Sequence, residues 1–306
     1  MLRRYKIAEG RLAECGPDEG QVLYYISPDE AERRQLIDGL KLDEHTLNSS
    51  LDPDEVARVE FEPEHVAMIF KRPKNYSSED NFQFKVASTG IFLFKDKVLL
   101  VTAEEAPLFE GRQVQKIQGL HDLVLRLIYR AIFHFIEHLR VINMISSSLE
   151  QQINTSMENK HLLNMFTLEK SLVYYINAIS SNGRVIDKLK ANAVKIGLGP
   201  DNVEFLDDVL IENNQCARQA EIYSSVLASL MDARASVVAN NLNLLIKTLT
   251  IITIAIMLPT LVVSIFSMNV KLPLDQEFSH WPFWIVMALA VGSAVSVYLW
   301  VRFKKL

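Results

Sequence analysis

Two long apolar runs near the end of the chain limit its fold more than any other feature. The first, TLTIITIAIMLPTLVVSIF, covers residues 248–266, and the second, WPFWIVMALAVGSAVSVYLWV, covers residues 281–301; neither carries a charge. As a helix, each is long enough to cross a hydrocarbon layer of about 30 Å. Trp and Tyr residues stand at both ends of the second run, as in the aromatic belts of membrane proteins. The sequence therefore predicts two transmembrane helices, at about residues 246–267 and 281–301.

The charges beside these runs predict how they are oriented. Lys247 precedes the first run, and the basic tail RFKKL follows the second. Basic residues favour the cytosolic side, so both termini are expected in the cytosol and the loop MNVKLPLDQEFSH outside. The first residues, MLRRYKIAEGRLAEC, lack the apolar core of a signal peptide. We therefore expect a multi-pass protein of the inner (cell) membrane, in contact with the lipid bilayer.

The N-terminal part of the chain has a different composition. Only five of the 32 basic and two of the 37 acidic residues lie after residue 240, which leaves 27 basic and 35 acidic residues before it. An acidic domain argues against a nucleic-acid partner, which requires clustered Lys and Arg. No Gly-rich phosphate loop, HExxH motif or nucleophile elbow is present, so we predict that the protein is not an enzyme.

Residues 1–115 have the pattern of a mixed α/β domain. QVLYYIS is a strand candidate, and RVEFEPEHVAMIF alternates polar and apolar residues as a half-buried strand does. STGIFLFKDKVLLVT predicts a hairpin that turns at Lys95-Asp96-Lys97. Ser27, followed three residues later by Glu30, has the spacing of a helix capping box.

Residues 116–243 are expected to form a helical stalk that continues into the membrane domain, residues 244–306. A first helix covers HDLVLRLIYRAIFHFIEHLRVINMISSSLEQQI, and a second covers TLEKSLVYYINAISSNGRVIDKLKANAVK with an interruption near Asn182-Gly183. A third begins after Gly199-Pro200 and meets no helix breaker before Pro259, so one very long helix is predicted to enter the first span.

Histidines on the first of these helices raise the question of a metal site. His134 and His138 are one helical turn apart, and His121 precedes them on the same helix. No third ligand is near in sequence, so packed or surface histidines are the favoured interpretation.

A polar stripe marks one face of the first predicted span. Its positions follow one another at gaps of three and four residues, which places them on one helical face. Six of the eight are polar: Asn243, Ile246, Thr250, Thr253, Met257, Thr260, Ser264 and Ser267. Hydroxyls in a membrane helix often bond to their own backbone, which would explain scattered Thr and Ser. A continuous stripe instead favours helices packed around a shared axis with a water-bearing path.

The residue types in this stripe predict what such a path would carry. The stripe has no carboxylate and no histidine, so it would not strip an ion of its water and bind it tightly. Hydroxyl and amide oxygens suit hard cations and can hydrogen-bond the water shell of a hydrated ion. Mg²⁺ loses its water reluctantly, so it is the expected cargo. Rings of Ile246 and Met257 are expected to gate by dewetting.

The chain as a whole resembles the CorA-type divalent-cation channels. The resemblance rests on the acidic α/β domain, the long stalk helix, the two C-terminal spans, the basic tail and the Met-Asn at the outer end of the first span. It implies an α+β membrane protein that assembles as a homopentameric, funnel-shaped channel, with the first span lining the pore. It also implies Mg²⁺ as cargo and as a regulatory ion.

The resemblance assigns roles to individual residues. Asn269 would capture the hydrated ion at the mouth, and Asn243 would stand at the cytosolic entrance. Ile246 and Met257 match the family's apolar constrictions, and the family pattern favours Leu249 where the heptad spacing selects Thr250. Asp208 matches the stalk carboxylate of a regulatory metal site between subunits. Its partner should fall near Asn75 or Tyr76, and Glu79 and Asp80 are close enough to substitute.

One departure from the family pattern lies at the mouth. The family signature is Gly-Met-Asn, whereas this chain has Ser267, Met268 and Asn269. Serine restricts a backbone turn that glycine makes freely, and it adds a hydroxyl. The sequence therefore leaves three functional hypotheses open. The protein passes Mg²⁺, or it transports Zn²⁺ or Co²⁺ with or without proton coupling, or it is a membrane-anchored binding or regulatory homologue whose pore no longer conducts.

Overall fold

The structure, a computed structural model, describes residues 1–17, 19–155, 159–268 and 280–303. The chain divides into two compact units, Met1–Met231 and Asp232–Leu306. The first unit contains a β-sheet and several helices, and the second consists of helical segments alone within the described residues. The three-part division expected from the sequence, at residues 1–115, 116–243 and 244–306, stays a prediction.

Seven strands form one mixed sheet in the first unit. In chain order they are β1 (Leu2–Ala8), β2 (Arg11–Glu14), β3 (Val22–Ile26), β4 (Arg58–Phe61), β5 (Val66–Pro73), β6 (Val86–Leu93) and β7 (Val98–Thr102). Their order across the sheet is β2-β1-β3-β7-β6-β5-β4. The pair β3–β7 is parallel and every other neighbouring pair is antiparallel.

Seven α-helices complete the described fold. They are α1 (Glu30–Arg34), α2 (Glu44–Leu51), α3 (Leu120–Thr155), α4 (Asn159–Ala191), α5 (Ala193–Ile196), α6 (Pro200–Phe266) and α7 (Trp281–Phe303). A π-helical turn, Gln35–Gly39, follows α1 directly. The first predicted stalk helix lies within α3 and the second predicted span within α7, and the first predicted span lies in α6 up to Phe266. The second stalk helix, predicted to continue to Lys195, ends at Ala191 and is followed by the short α5.

The central strands are buried on both faces of the sheet. In β7, Val98 and Leu100 belong to a large apolar core that also contains residues of α3, α4 and α6. Leu99 and Val101 point to a smaller core on the other face, together with Leu47 of α2. Because side chains alternate across a strand, an unbroken apolar run such as VLLV can serve two cores at once.

Two of the local expectations for the sheet are confirmed and one is wrong. QVLYYIS contains β3, and STGIFLFKDKVLLVT forms the β6–β7 hairpin, in which Phe94 N–H donates to the Lys97 carbonyl. RVEFEPEHVAMIF is not one half-buried strand but the β4–β5 hairpin. The turn contains Pro63, which has no N–H for a strand ladder, and β5 is buried on both faces.

The capping box of the first helix lies two residues beyond its predicted place. Asp29, not Ser27, caps α1: Glu32 N–H donates to Asp29 Oδ1 over 2.8 Å, and Asp29 N–H donates to Glu32 Oε2 over 3.1 Å. Ser27 has a positive φ of 44° and donates its N–H to the Thr102 carbonyl. The Asp-x-x-Glu spacing supplies the same reciprocal bonds that Ser27 and Glu30 were expected to make.

The expected interruption of the second stalk helix is also wrong. α4 passes through Asn182-Gly183 without a break. Asn182 is fully buried, and it accepts from Lys71 N–H over 2.9 Å and donates to the Lys71 carbonyl over 2.8 Å. A side chain with turn propensity is therefore held in the helix because β5 satisfies both ends of its amide.

The long helix is continuous through the proline that was expected to limit it. α6 is a single helix of 67 residues with Pro259 inside it. Proline removes one backbone donor from the helix, and membrane helices tolerate this loss. The N-terminal α/β domain, the long helix and the two C-terminal apolar helices confirm the predicted fold class.

Candidate functional site

The second unit contains two helices that are long and apolar enough to cross a membrane. They are the C-terminal part of α6 and the whole of α7. In the most apolar stretch of α6 no residue is buried inside the chain, and in that of α7 only 11% of the residues are. A core helix of a soluble protein would be mostly buried, so these helices need apolar surroundings from outside the single chain.

The polar stripe is fully accessible on α6. All eight of its positions, from Asn243 to Ser267, are exposed. The two apolar members, Ile246 and Met257, are 54% and 63% exposed, and Leu249 beside them is 65% exposed. The stripe and Leu249 are therefore free to meet another copy of the chain or water.

The helix contacts its own chain on the opposite face. Its half-buried positions in the span are Ile251, Ala255, Pro259, Val262 and Phe266. At about 100° per residue, the centre of this set lies about 180° from the centre of the stripe. An apolar cavity of about 390 Å³ lies on the same side, between Ile251, Ile254 and Leu258 of α6 and Ser296, Val297, Trp300 and Val301 of α7. The face toward α7 and the polar face are therefore separate.

The threonines of the span donate their hydroxyl protons to their own helix. Each bond reaches the carbonyl four residues earlier. The pairs are Thr248 to Leu244, Thr250 to Ile246, Thr253 to Leu249 and Thr260 to Ile256, all at 2.8 Å. A hydroxyl that has donated its proton keeps its acceptor lone pairs. The stripe threonines therefore present acceptors, not donors, on the exposed face.

The predicted mouth lies at the C-terminal end of α6. Ser267 follows the last helical residue, and its N–H donates to the Val263 carbonyl over 3.0 Å. Its hydroxyl donates to the Ser264 carbonyl over 3.0 Å, and both Ser267 and Met268 are exposed. Asn269, the predicted mouth ligand, lies outside the described residues.

Asp208, the predicted regulatory carboxylate, is exposed on the part of α6 that belongs to the first unit. It lines a cavity of about 280 Å³ together with Glu212, Tyr129, Phe205 and Ile211. Burial, and then the carboxylates of Glu212 and Asp208, raise the pKa of Tyr129. Glu212 was missed in the sequence, although its spacing of four residues from Asp208 on a helix places the two carboxylates on one face.

Neither of the two other predicted regulatory residues lines the described cavity that contains Asp208. Glu79 is exposed in the 3₁₀ turn Ser78–Asp80. Asp80 accepts from Ser77 N–H over 2.7 Å, and this bond lowers its pKa. Asp80 lines a different cavity, with Asn75 among its neighbours. Across the part of the chain that the structure describes, no three His, Cys, Asp or Glu residues are grouped so as to hold a metal ion.

The histidines of α3 are packing residues. His138 is buried, and its Nδ1 lies 2.7 Å from the Tyr175 hydroxyl, while the His134 ring lies 4.4 Å from the His138 ring. Burial lowers the pKa of His134 to about 3 and that of His138 to about 4. His121 Nε2 contacts the Ile196 carbonyl at 3.0 Å. The imidazoles of His134 and His138 are therefore neutral at neutral pH; His138 is buried and His134 packs against it half-buried.

Comparison with known proteins places the chain in a family. The profile of the family described as CorA-like Mg²⁺ transporter protein matches residues 23–305. The cobalt/magnesium transport protein CorA of Methanocaldococcus jannaschii is 24% identical over 307 residues, which cover 93% of this chain and 91% of the relative.

Solved structures share the fold. The complete structure of the CorA magnesium transporter from Methanocaldococcus jannaschii superposes with a TM-score of 0.82 at 20% identity, covering 98% of this chain and 96% of the other. The full-length CmaX protein superposes with a TM-score of 0.75 at 14% identity, covering 100% and 97%. The family match covers nearly the whole chain, including both apolar helices. The chain therefore belongs to the CorA-like Mg²⁺ transporter family, whose members are membrane transporters of divalent cations and not enzymes.

Proposed function

We propose that the chain forms a homopentamer in the inner membrane, with both termini in the cytosol, and passes hydrated Mg²⁺ through a central pore lined by α6. One observation carries this proposal. The polar stripe is exposed along its whole length and lies about 180° around α6 from the half-buried face, beside which α6 and α7 line a common cavity. In a ring of copies with α7 outward, every stripe would face the central axis.

The hydroxyl chemistry supports a hydrated cation as cargo. The waters around a divalent cation point their hydrogens outward, so the wall of a pore must accept hydrogen bonds. Thr250, Thr253 and Thr260 have donated their protons to their own helix and offer only acceptors. No carboxylate or histidine stands in the stripe, so nothing in it would strip an ion of water. Mg²⁺, which dehydrates reluctantly, suits such a wall.

The apolar members of the lining are proposed as gates. Ile246 and Met257 interrupt the polar stripe, and in a pentamer each would form a ring able to exclude water. Leu249 lies at the edge of the same exposed face, next to Thr250. Both Leu249 and Thr250 are therefore kept as lining residues.

The mouth is proposed to hold the ion through Asn269. An amide carbonyl can accept hydrogen bonds from the water shell without replacing it. The hydroxyl of Ser267 is directed back to the Ser264 carbonyl, so its donor is already used. We infer that Ser267 can occupy the family's glycine position without placing a competing donor at the mouth.

A regulatory metal site between subunits remains part of the proposal. Asp208 is exposed beside Glu212, so a neighbouring copy could bring a third carboxylate to the pair. Glu79 and Asp80 are the proposed contributors. Mg²⁺ would then be both cargo and regulator.

Ion flux into liposomes tests the proposal. Purified protein should take up Mg²⁺, and Asn269→Ala should reduce that uptake, while Ser267→Gly should retain it. Uptake of Zn²⁺ and of Co²⁺ is measured beside the uptake of Mg²⁺. Co²⁺ is included because the Methanocaldococcus relative is a cobalt/magnesium transport protein. Faster flux of either ion than of Mg²⁺ would change the assigned cargo, and uptake dependent on a proton gradient would change the mechanism.

Two further outcomes would contradict a working pore. Wild-type liposomes without flux, restored by Ser267→Gly, would support a lapsed pore. A mass of the detergent-solubilised protein near 34.8 kDa, instead of five times that value, would show a monomer and contradict a pore formed around a shared axis.

A further inference from the structure

Two cavities adjoin in the first unit, where β5 ends and β6 begins, and neither is lined by a residue of the polar stripe. The first has a volume of about 380 Å³ and a mainly polar lining that includes Arg72, Lys74 and Lys85. The second has a volume of about 560 Å³ and a mainly apolar lining that includes Phe166 and Tyr174. Lys74, Gln83 and Lys85 line both, so the polar cavity opens beside the apolar one. Each volume lies within the range of small-molecule sites.

A buried guanidinium lines the polar cavity. Arg72 is only 7% exposed. Its Nε donates to Thr89 Oγ1 over 3.2 Å and its Nη1 to the Pro73 carbonyl over 3.4 Å, but its buried Nη2 has no hydrogen-bond partner within the described residues. The nearest carboxylate oxygen, of Glu104, is 3.9 Å away. A buried cationic donor without a full partner is costly, and an anion in the cavity would satisfy it.

The carboxylates of the polar cavity are already engaged. Glu104 accepts from Lys74 over 2.9 Å, and Glu105 pairs with Arg3 over 2.7 Å. Asp80 accepts from the Ser77 backbone over 2.7 Å. Lys85 is exposed and forms no ion pair with another described residue. Two of the three acids are therefore paired with a cation, Glu104 with Lys74 of the cavity itself and Glu105 with Arg3, so the cationic donors left for an added anion are Arg72 Nη2 and Lys85.

The apolar cavity offers flat surfaces. Phe166 and Tyr174 of α4 are 57% and 52% exposed, and Leu163 on the same helix is 64% exposed. The floor is the buried Phe84, whose ring stacks on Tyr76 with a centroid distance of 4.0 Å. Side chains of this kind bind a planar ring by stacking and by excluding water.

We propose that these two cavities form one binding site for a nucleoside phosphate. The phosphates would bind Arg72 and Lys85, beside the Lys74–Glu104 ion pair, and the base would lie against Phe166 and Tyr174. This assignment rests on two neighbouring features. A buried arginine with an incomplete set of hydrogen bonds lies in one cavity, an exposed aromatic surface lines the other, and Lys74 and Lys85 line both. The site lies wholly in the first unit, so it does not depend on the passage of an ion.

Calorimetric titration of the full-length protein in detergent with ATP, in buffer free of divalent ions, tests the proposal. Wild-type protein should bind ATP. Lys85→Glu should weaken binding about tenfold, because it replaces a charge-assisted bond by repulsion. The matched control is Lys95→Glu, the same charge reversal at the exposed turn beyond the other end of β6, and it should not change the affinity.

A second pair of variants tests the aromatic surface. Phe166→Ser should weaken ATP binding, whereas Val173→Ser should not, because Val173 is an equally exposed residue of α4 outside both cavities. Adenosine and tripolyphosphate, titrated separately, should each bind more weakly than ATP.

Several results would overturn the assignment. The absence of ATP binding by the wild-type protein would overturn it directly. Tripolyphosphate that binds as tightly as ATP, with Phe166→Ser unchanged, would reduce the site to a simple anion site. Adenosine that binds as tightly as ATP, with Lys85→Glu unchanged, would remove the phosphate half. Ion flux is not measured in these titrations, so their failure is separate from failure of the proposed pore.

Discussion

Polar side chains on the long helices have opposite surroundings in the two units. In the first unit, Asn182 of α4 is fully buried and bonds to both backbone groups of Lys71, far away in sequence. In the second unit, Thr253 of α6 is exposed, and among the described residues its hydroxyl bonds only to the Leu249 carbonyl of its own helix. The first side chain joins two elements, and the second leaves its face of the helix open.

The difference distinguishes polar residues that hold the fold from polar residues available for function. Removing a buried side chain leaves its former hydrogen-bond partners unsatisfied, and each such group lowers the free energy of unfolding by about 1–3 kcal/mol. Removing an exposed hydroxyl that bonds to its own helix affects only one backbone carbonyl. That carbonyl is accessible to solvent or to the pore, and it keeps its bond within the helix. Stability should therefore report on the first class and ion flux on the second.

The largest expected effect is on stability, from Asn182→Ala. The change leaves the N–H and the carbonyl of Lys71 without partners in a buried strand, so we expect a loss of about 3 kcal/mol. For a unit of this size the apparent melting temperature would fall by on the order of 10 °C. Thermal unfolding followed by circular dichroism of the full chain in detergent measures it. Asn177→Ala, at an exposed position of the same helix, is the matched control and should melt as wild type does.

A second effect, on flux, is expected when Thr250, Thr253 and Thr260 are all changed to Val. Valine keeps the shape and removes the acceptors, so Mg²⁺ uptake into liposomes should fall about tenfold, which corresponds to about 1.4 kcal/mol in the barrier. The melting temperature should stay close to that of wild type. Thr248→Val is the control, because Thr248 makes the same 2.8 Å bond but lies on the side of α6 away from the stripe. Equal losses in both variants would contradict the pore assignment.

A third effect is a loss of stability in acid that arises from the first unit. Burial holds the pKa of His138 at about 4, below its ordinary value of 6.5. The unfolded chain therefore binds the proton first, so stability is fully present above pH 6.5 and is lost as the pH falls toward 4. One such proton contributes about 1.4 kcal/mol per pH unit. Melting curves between pH 7 and 4.5 should show a shallower slope for His138→Asn, and an unchanged slope would contradict the assignment.

The smallest effect compares two neighbouring hydroxyls on α4. Ser171 accepts from the buried Phe84 N–H over 3.1 Å, so Ser171→Ala should cost about 1 kcal/mol. Thr167 donates to the Leu163 carbonyl of its own helix, so Thr167→Val should cost less. The melting temperatures of the two variants are measured side by side. A larger fall for Thr167→Val than for Ser171→Ala would contradict the distinction between the two classes of polar residue.

Patterns within one element were sufficient to predict much of this structure. The β6–β7 hairpin, the long helices and the two apolar spans each follow from local periodicity and turn residues. The exposed stripe on α6 also follows, because a spacing of three and four residues determines a helical face regardless of what surrounds it.

Features set by contacts distant in sequence were not predictable in the same way. Asn182-Gly183 resembles a helix break, and only its pairing with Lys71 shows why it is not one. The strands β1 and β2 were not identified, because neither has a clear apolar alternation: β2 is a four-residue edge strand, and only Tyr5 of β1 is buried. The two adjoining cavities likewise join α4 to strands β5 and β6. Asn269 lies outside the described residues, so its role stays a prediction.

The hydroxyl bonds of α6 also affect how such a chain can evolve. Within the described residues the hydroxyls of Thr250, Thr253 and Thr260 bond only to their own helix, so exchanging any one of them disturbs no other described element. Most substitutions are removed by selection because they lower stability, and these positions are largely released from that constraint. In the proposed pore, the ion preference would therefore change one position at a time along α6, while Asn182 and its partners stay fixed.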